Sequence, residues 1–219
     1  MKRYVFISVV IAWALLCFVA CSDDDGGSNE YHDWQQRNEA FFASKVAVAN
    51  EAIRSAQREH GEAWKEYCQW QTFVSYRHDA SLPPKQGDSI VVEVLERGKD
   101  GPSPFINDSV RVYFRGRLIP TESYPEGMVF SYSGQSSKYE DIFNTATAVP
   151  TTRRAFSFVT GLSTALLHMH LGDRWRIYVP ADLGYSVVDH GSIPAYSTLI
   201  FEVQLLAFFR SGASVTPWN

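Results

Sequence analysis

The amino-acid sequence predicts an α+β chain, with a helical N-terminal segment ahead of an antiparallel sheet that holds one short helix. Two changes of periodicity carry this reading. Up to about Arg58 the apolar residues recur at spacings of three and four, the signature of a helix with one buried face; beyond Pro84 they recur every second residue, the signature of half-buried strands. Ser163 to His170 then reads as a short helix between strands. At 219 residues, 45% of them hydrophobic, the chain is long enough to bury a substantial core in one or two domains.

In the first segment Phe42, Val46, Ala49, Ile53 and Ala56 share a stripe, and Gln35, Arg37, Glu39, Lys45, Asn50, Arg54 and Gln57 fall largely off it. No proline or glycine interrupts the run, and His60-Gly61 is a stop signal. Trp64, Tyr67, Trp70 and Phe73 form a second, more aromatic piece that ends before Leu82-Pro83-Pro84, so residues 31–84 are read as one helical segment. Its aromatic residues are expected to pack it onto the domain that follows.

Ser89 to Leu95 reads as a strand, and Gly98 to Pro104 as a turn-rich connection. Val110 to Leu118 alternates, with Val110, Val112 and Phe114 on one side and Arg111, Tyr113, Arg115 and Arg117 on the other. Met128 to Tyr132 is a short strand, and Ser133 to Thr152 a long polar insertion without a period. Past the short helix, Trp175, Ile177 and Val179 alternate with Arg174, Arg176 and Tyr178. Phe201, Val203 and Leu205 likewise alternate with Ile200, Glu202 and Gln204. Antiparallel strands with one short helix define the α+β class. There is no internal repeat.

A net charge of -4 without a basic stripe excludes a nucleic-acid partner. No Ser-His-Asp spacing, glycine-rich phosphate loop or clustered carboxylate pair stands out. His168 and His170 are two apart, which on a helix turns them to different sides, so they make no metal pair. His170, just before Gly172, reads as a polar C-terminal residue near a glycine cap, and His190, ahead of Ile193, as a solvated loop residue with contact to a bound ligand as the second reading. Nothing in the sequence calls for a metal or a cofactor.

The first 20 residues are set apart. Lys2 and Arg3 precede the apolar run Tyr4 to Ala20, which is short for a membrane span of roughly 20 apolar residues and suits a secretory signal. Ala20-Cys21 resembles a bacterial lipoprotein cleavage site, with Cys21 as the lipidated residue; a plain anchor helix is the alternative. Residues 21–30, with Ser22-Asp23-Asp24-Asp25-Gly26-Gly27-Ser28, read as a solvated tether. The acidic run resembles an export signal of some surface lipoproteins of Gram-negative bacteria. The expectation is an exported protein held by lipid at the outer membrane, on the cell surface or on the periplasmic face. Of three cysteines, Cys17 leaves with the signal and Cys21 takes the lipid. Cys68 remains, so no internal disulfide forms, and it is expected to be a small buried apolar residue.

Three stretches carry a family resemblance: Val112-Tyr113-Phe114-Arg115-Gly116 with Phe130-Ser131; Gly161-Leu162 with Leu171-Gly172-Asp173; and Leu183-Gly184-Tyr185, Ile193-Pro194 and the strand through Phe201. Their order of strand, helix, tyrosine-bearing loop, Ile-Pro flap and terminal strand resembles the FKBP-type peptidyl-prolyl isomerases, over roughly Lys85 to Phe209; the domain is drawn as 85–210. The resemblance implies a sheet curled around the short helix, an apolar metal-free pocket between them, and proline-containing polypeptides as substrates for cis–trans isomerisation. It implies that Tyr185, Phe130, Phe201 and Ile193 carry the catalysis. Phe114, Val159, Leu162 and Ser131 would bind substrate, Val159 through its backbone N–H.

The chain departs from the family pattern at four of these places. Phe114 stands for a tyrosine, Ser131 for an aspartate, Leu162 for the tryptophan of the pocket floor, and Ser186 for the glycine after the loop tyrosine. Whether Phe156 or Phe158 lines the pocket stays open. Some bacterial members pair through N-terminal helices, which makes homodimerisation through residues 31–84 a second use for that segment. Two rival readings follow from the departures: a binding module on the same fold without useful turnover, or a subunit of a surface complex that docks through Trp64 to Phe73.

Overall fold

The computed structural model describes residues 30–133, 143–146 and 148–218. The expected signal, Cys21 with its expected lipid, all but the last residue of the expected tether and much of the 133–152 insertion lie outside the described residues.

Helix α1 spans Trp34–His60, and its buried positions are Trp34, Asn38, Phe42 and Ala49, spaced as one helical stripe requires. The stripe starts two turns before Phe42, because one of its members is polar. Asn38 is nearly inaccessible, yet every polar atom is matched: Nδ2 donates to Trp34 O at 2.7 Å, and Oδ1 accepts from Thr198 N at 2.7 Å. Trp34 Nε1 donates to Ser197 Oγ at 2.9 Å, so the first two turns of α1 are fastened to the segment just before the last strand. Gly61, at φ +57°, ends the helix where the His60-Gly61 signal places the stop.

The helical reading of 31–84 holds only as far as a short helix α2, Trp64–Tyr67. Trp70–Val74 is a strand, β1, paired antiparallel with β2, Ser89–Glu96. Trp70 stacks on Tyr178, with ring centroids 6.1 Å apart, while Phe73 stacks on Trp175 at 5.8 Å on the other face of the sheet. Residues three apart would share a helix face; here they point to opposite sides, as strand geometry dictates. These aromatics do join the segment to the domain, but as part of its sheet. Cys68 is a buried free thiol.

The remaining strands are β3 (Ser109–Arg117), β4 (Val129–Tyr132), β5 (Thr151–Arg154), β6 (Arg174–Val179) and β7 (Leu199–Phe209). They form one antiparallel sheet in the order β1-β2-β6-β7-β3-β4, with β5 also pairing with β3. Its inner face packs on helix α3, Thr160–Leu166, through Ile90, Ile177 and Val179, which surround Leu162, Ala165 and Leu166. Gly161 lets the helix approach: a Cβ there would lie 2.4 Å from a Val179 methyl carbon.

On the outer face the alternation of β3 holds, but that side is not open to water. Arg111 and Arg115 are both buried. Across four strands the register aligns Arg115, Glu202, Arg176 and Glu93. Arg115 meets Glu202 at 3.1 Å and Arg176 meets Glu93 at 2.9 Å, while Arg174 reaches both Glu202 and, at 2.9 Å, Glu96. Beside this ladder Tyr178 lies under α1 against Phe41. Burial first, and then the Glu93 carboxylate, push its phenol up to about 12.

Candidate functional site

All eight residues singled out in the sequence border one cavity of about 570 Å³, between the end of the sheet, α3 and the 185–193 loop. β3 supplies Phe114, β4 Phe130 and Ser131, β7 Phe201, the start of α3 Val159 and Leu162, and the loop Tyr185 and Ile193. A larger groove of about 650 Å³ runs between α1 and the 180–182 turn, but only Phe42 and Tyr196 bring rings to it. Six aromatic rings, the His190 imidazole among them, border the first cavity.

Their placement follows from alternation. Val110, Val112, Phe114 and Gly116 occupy the inner side of β3, and Gly116 pairs with Phe201 and Ser131 on the flanking strands. The missing side chain at Gly116 makes room for the rings: a Cβ there would fall 2.7 Å from Phe130 carbons and 2.9 Å from a Phe201 carbon. Phe130 and Phe201 meet edge to face, with centroids 5.7 Å apart and planes at 87°. Phe114 makes a similar contact with Phe158 at 6.1 Å. That settles which phenylalanine lines the pocket: Phe158 does, and Phe156 is exposed. Leu162 and Ile193 are buried and close the floor and the flap side.

The loop is held by its backbone. His190 N donates to Ile193 O at 2.8 Å and Ile193 N returns a bond to His190 O at 3.0 Å. The Ile193 N–H is therefore already committed. The Val159 N–H donates to no described residue and is a backbone donor at the cavity. Ser186, in the place of the family's glycine, sits at φ +58°, a left-handed conformation that costs a serine about 1 kcal/mol. Its N–H donates to Ala181 O at 2.8 Å and its carbonyl accepts from Tyr196 N at 2.8 Å, and this pinning holds the strained residue.

Tyr185 is half buried, and burial pushes its phenol up, so it is a neutral proton donor at ordinary pH. Its hydroxyl takes no partner among the described residues. The His190 ring lies flat on it, centroids 4.1 Å apart and planes 9° from parallel. His190 therefore lines the site and stacks on its tyrosine, which favours the second of its two sequence readings over a solvated loop. Arg153, Ser157, Gly191 and Ser192 also border the cavity without being anticipated. A four-residue strand at the end of a polar insertion is too short to show a period, so Arg153 gave no signal in the sequence. Among the lining residues there is no carboxylate and no nucleophile paired with a base. What the site offers is an aromatic enclosure in which the Tyr185 hydroxyl and the Val159 N–H have no partner among the described residues.

Residues 101–206 match the family model described as FKBP-type peptidyl-prolyl cis-trans isomerase. The chain is 34% identical over 133 residues to the macrophage infectivity potentiator of Trypanosoma cruzi, covering 60% of this chain and 59% of that protein. It is 33% identical over 114 residues to the FKBP-type 22 kDa peptidyl-prolyl cis-trans isomerase of Escherichia coli, covering 52% and 47%. With the outer membrane protein MIP of Legionella longbeachae it shares 31% identity over 116 residues, covering 52% and 42%. The chain thus spans about half the length of these curated relatives.

Proposed function

The chain carries a domain of the FKBP-type peptidyl-prolyl cis-trans isomerase family, and from that premise we propose that it isomerises X–Pro bonds of exported polypeptides. One observation carries the reading: the phenylalanines, Leu162, Ile193 and Tyr185 converge on one cavity bare of acid–base machinery.

The reaction asks for little else. Rotation about the amide C–N bond has a barrier of about 18–20 kcal/mol because resonance is lost as the bond twists. For X–Pro this makes exchange slow, on the order of tens to hundreds of seconds. The twisted carbonyl is less polar than the planar one, so an apolar wall favours the transition state over the ground state. Each 1.36 kcal/mol or so of that preference is worth about tenfold in rate. In this reading Phe130 and Phe201 grip the proline ring, Leu162 forms the floor, Phe114 and Ile193 form the walls, and Ser131 adds a neutral hydroxyl at the edge. Tyr185 O–H and Val159 N–H hold the flanking carbonyls.

The same proposal places the protein outside the cytoplasm, anchored at the outer membrane by lipid on Cys21. The charged and apolar leader and the acidic tether support that placement, as does the similarity to a relative named as an outer membrane protein. No described helix is long and apolar enough to cross a membrane. Pairing of two copies would use the distal part of the helical segment, where Val48 and Tyr67 are exposed.

The test is cis–trans exchange of an X–Pro peptide, followed by magnetisation-transfer NMR with the detergent-purified protein. Exchange should be fast, fall at least tenfold in Phe130→Ala, and fall a few-fold in Tyr185→Phe, the loss of one hydrogen bond of about 1 kcal/mol. Exchange no faster than buffer would leave a proline-binding module in place of an isomerase.

A further inference from the structure

Two consecutive arginines end the insertion, and they face opposite ways. Arg154 donates to Asn107 O at 2.7 Å, on the side away from the cavity. Arg153 pairs in register with the inward-facing Val110 and borders the cavity. It is exposed, and its guanidinium forms neither a hydrogen bond nor an ion pair with any described residue. No carboxylate lines the cavity, and the acid on the adjoining loop, Asp189, is occupied by Ala195 N at 2.7 Å. Among its described lining residues the cavity offers a peptide one permanent positive charge and no carboxylate, and Asp189 lies on the adjoining loop outside that lining.

Resting on the isomerase reading above, we infer that Arg153 makes the site selective for X–Pro segments with a carboxylate within one or two residues of the proline. A glutamate or aspartate there meets a guanidinium with no competing partner among the described residues, whereas a lysine is repelled by it. The apolar enclosure is indifferent to that charge, so the discrimination falls on peptide binding rather than on the twisting step. It is screened by salt, since the guanidinium is exposed.

The test compares two peptides that differ only in the residue before proline, glutamate or lysine, with a leucine peptide as the reference for turnover. The quantity read is the ratio of kcat/KM values within one protein preparation, which cancels differences in folded fraction. At low salt the glutamate peptide should win by roughly three- to tenfold, twice the free energy of an exposed ion pair expressed as a ratio. The preference should sit in KM and collapse toward one at about 1 M salt, where the screening length is about 3 Å. Arg153→Gln should abolish the ratio, Arg153→Glu invert it and Arg153→Lys restore most of it. A ratio near one in the unaltered protein, or a preference that survives Arg153→Gln, overturns the inference while turnover of the leucine peptide leaves the isomerase reading standing. If no peptide is turned over, the isomerase reading falls by itself. The dissociation constants of the same two peptides, measured by NMR titration, then decide, and equal constants overturn the charge selectivity.

Discussion

Phe201 and Glu202 are neighbours on one strand, and the two faces they serve could hardly differ more. Phe201 turns inward to a cavity of rings. Glu202 turns outward into a buried ladder where it meets two arginines. Phe114 and Arg115 repeat the contrast on the paired strand. The difference shows where this fold places charge. The proposed chemistry needs a poorly polar wall, and β3 and β7 keep their ionised groups on the other side, where they pair across the strands that carry that wall.

The sharpest way to break the comparison is Glu202→Gln. It leaves Arg115 and Arg174 facing a neutral amide, and loss of one partner from a buried ionic cluster costs about 3–5 kcal/mol. The urea midpoint should fall accordingly while turnover per folded molecule stays within about twofold. A loss of turnover with stability intact would show that the two faces are not separable.

The outer face can also be weakened by pH alone. The unfolded Tyr178 phenol ionises near pH 10, and the folded one near 12. The stability this difference supplies is complete below about pH 10 and disappears as pH rises to about 12, by roughly 1–2 kcal/mol. Unfolding titrations at about pH 9 and 11 should show a steeper loss for the unaltered protein than for Tyr178→Phe. Parallel losses would remove Tyr178 from the account.

The smallest change strikes the inner face. Gly116→Ala places a methyl within 2.7 Å of the Phe130 ring and 2.9 Å of Phe201, so both rings must move. Isomerisation should fall about tenfold, equivalent to 1.36 kcal/mol or so of transition-state preference, with the melting temperature nearly unchanged. Equal losses of stability and turnover would mean that the rings are core residues only.

How much of this was visible beforehand depends on the length of each periodic run. Phe114 and Phe201 lie in strands of nine and eleven residues, where alternation names the inward positions without ambiguity. Trp64, Tyr67, Trp70 and Phe73 misled because a spacing of three reads as one helix face, although the chain turns into a strand midway through the set. Asn38 was invisible to a search for apolar stripes, being a polar residue whose amide oxygen is matched by Thr198 N from a distant stretch of chain. Arg153 and the stacking of His190 on Tyr185 belong to a short strand and an irregular loop, where only tertiary contacts decide the direction of a side chain.

The fastening of α1 has a mechanical consequence. Trp34 holds Ser197, and Ser197 Oγ in turn donates to Pro194 O at 2.6 Å, next to the flap residue Ile193. Tension applied at the amino end would meet Trp34 at the start of α1 and pass through Ser197 to the rim of the cavity. In a chain tethered at that end, a tug on the leash is felt at the mouth.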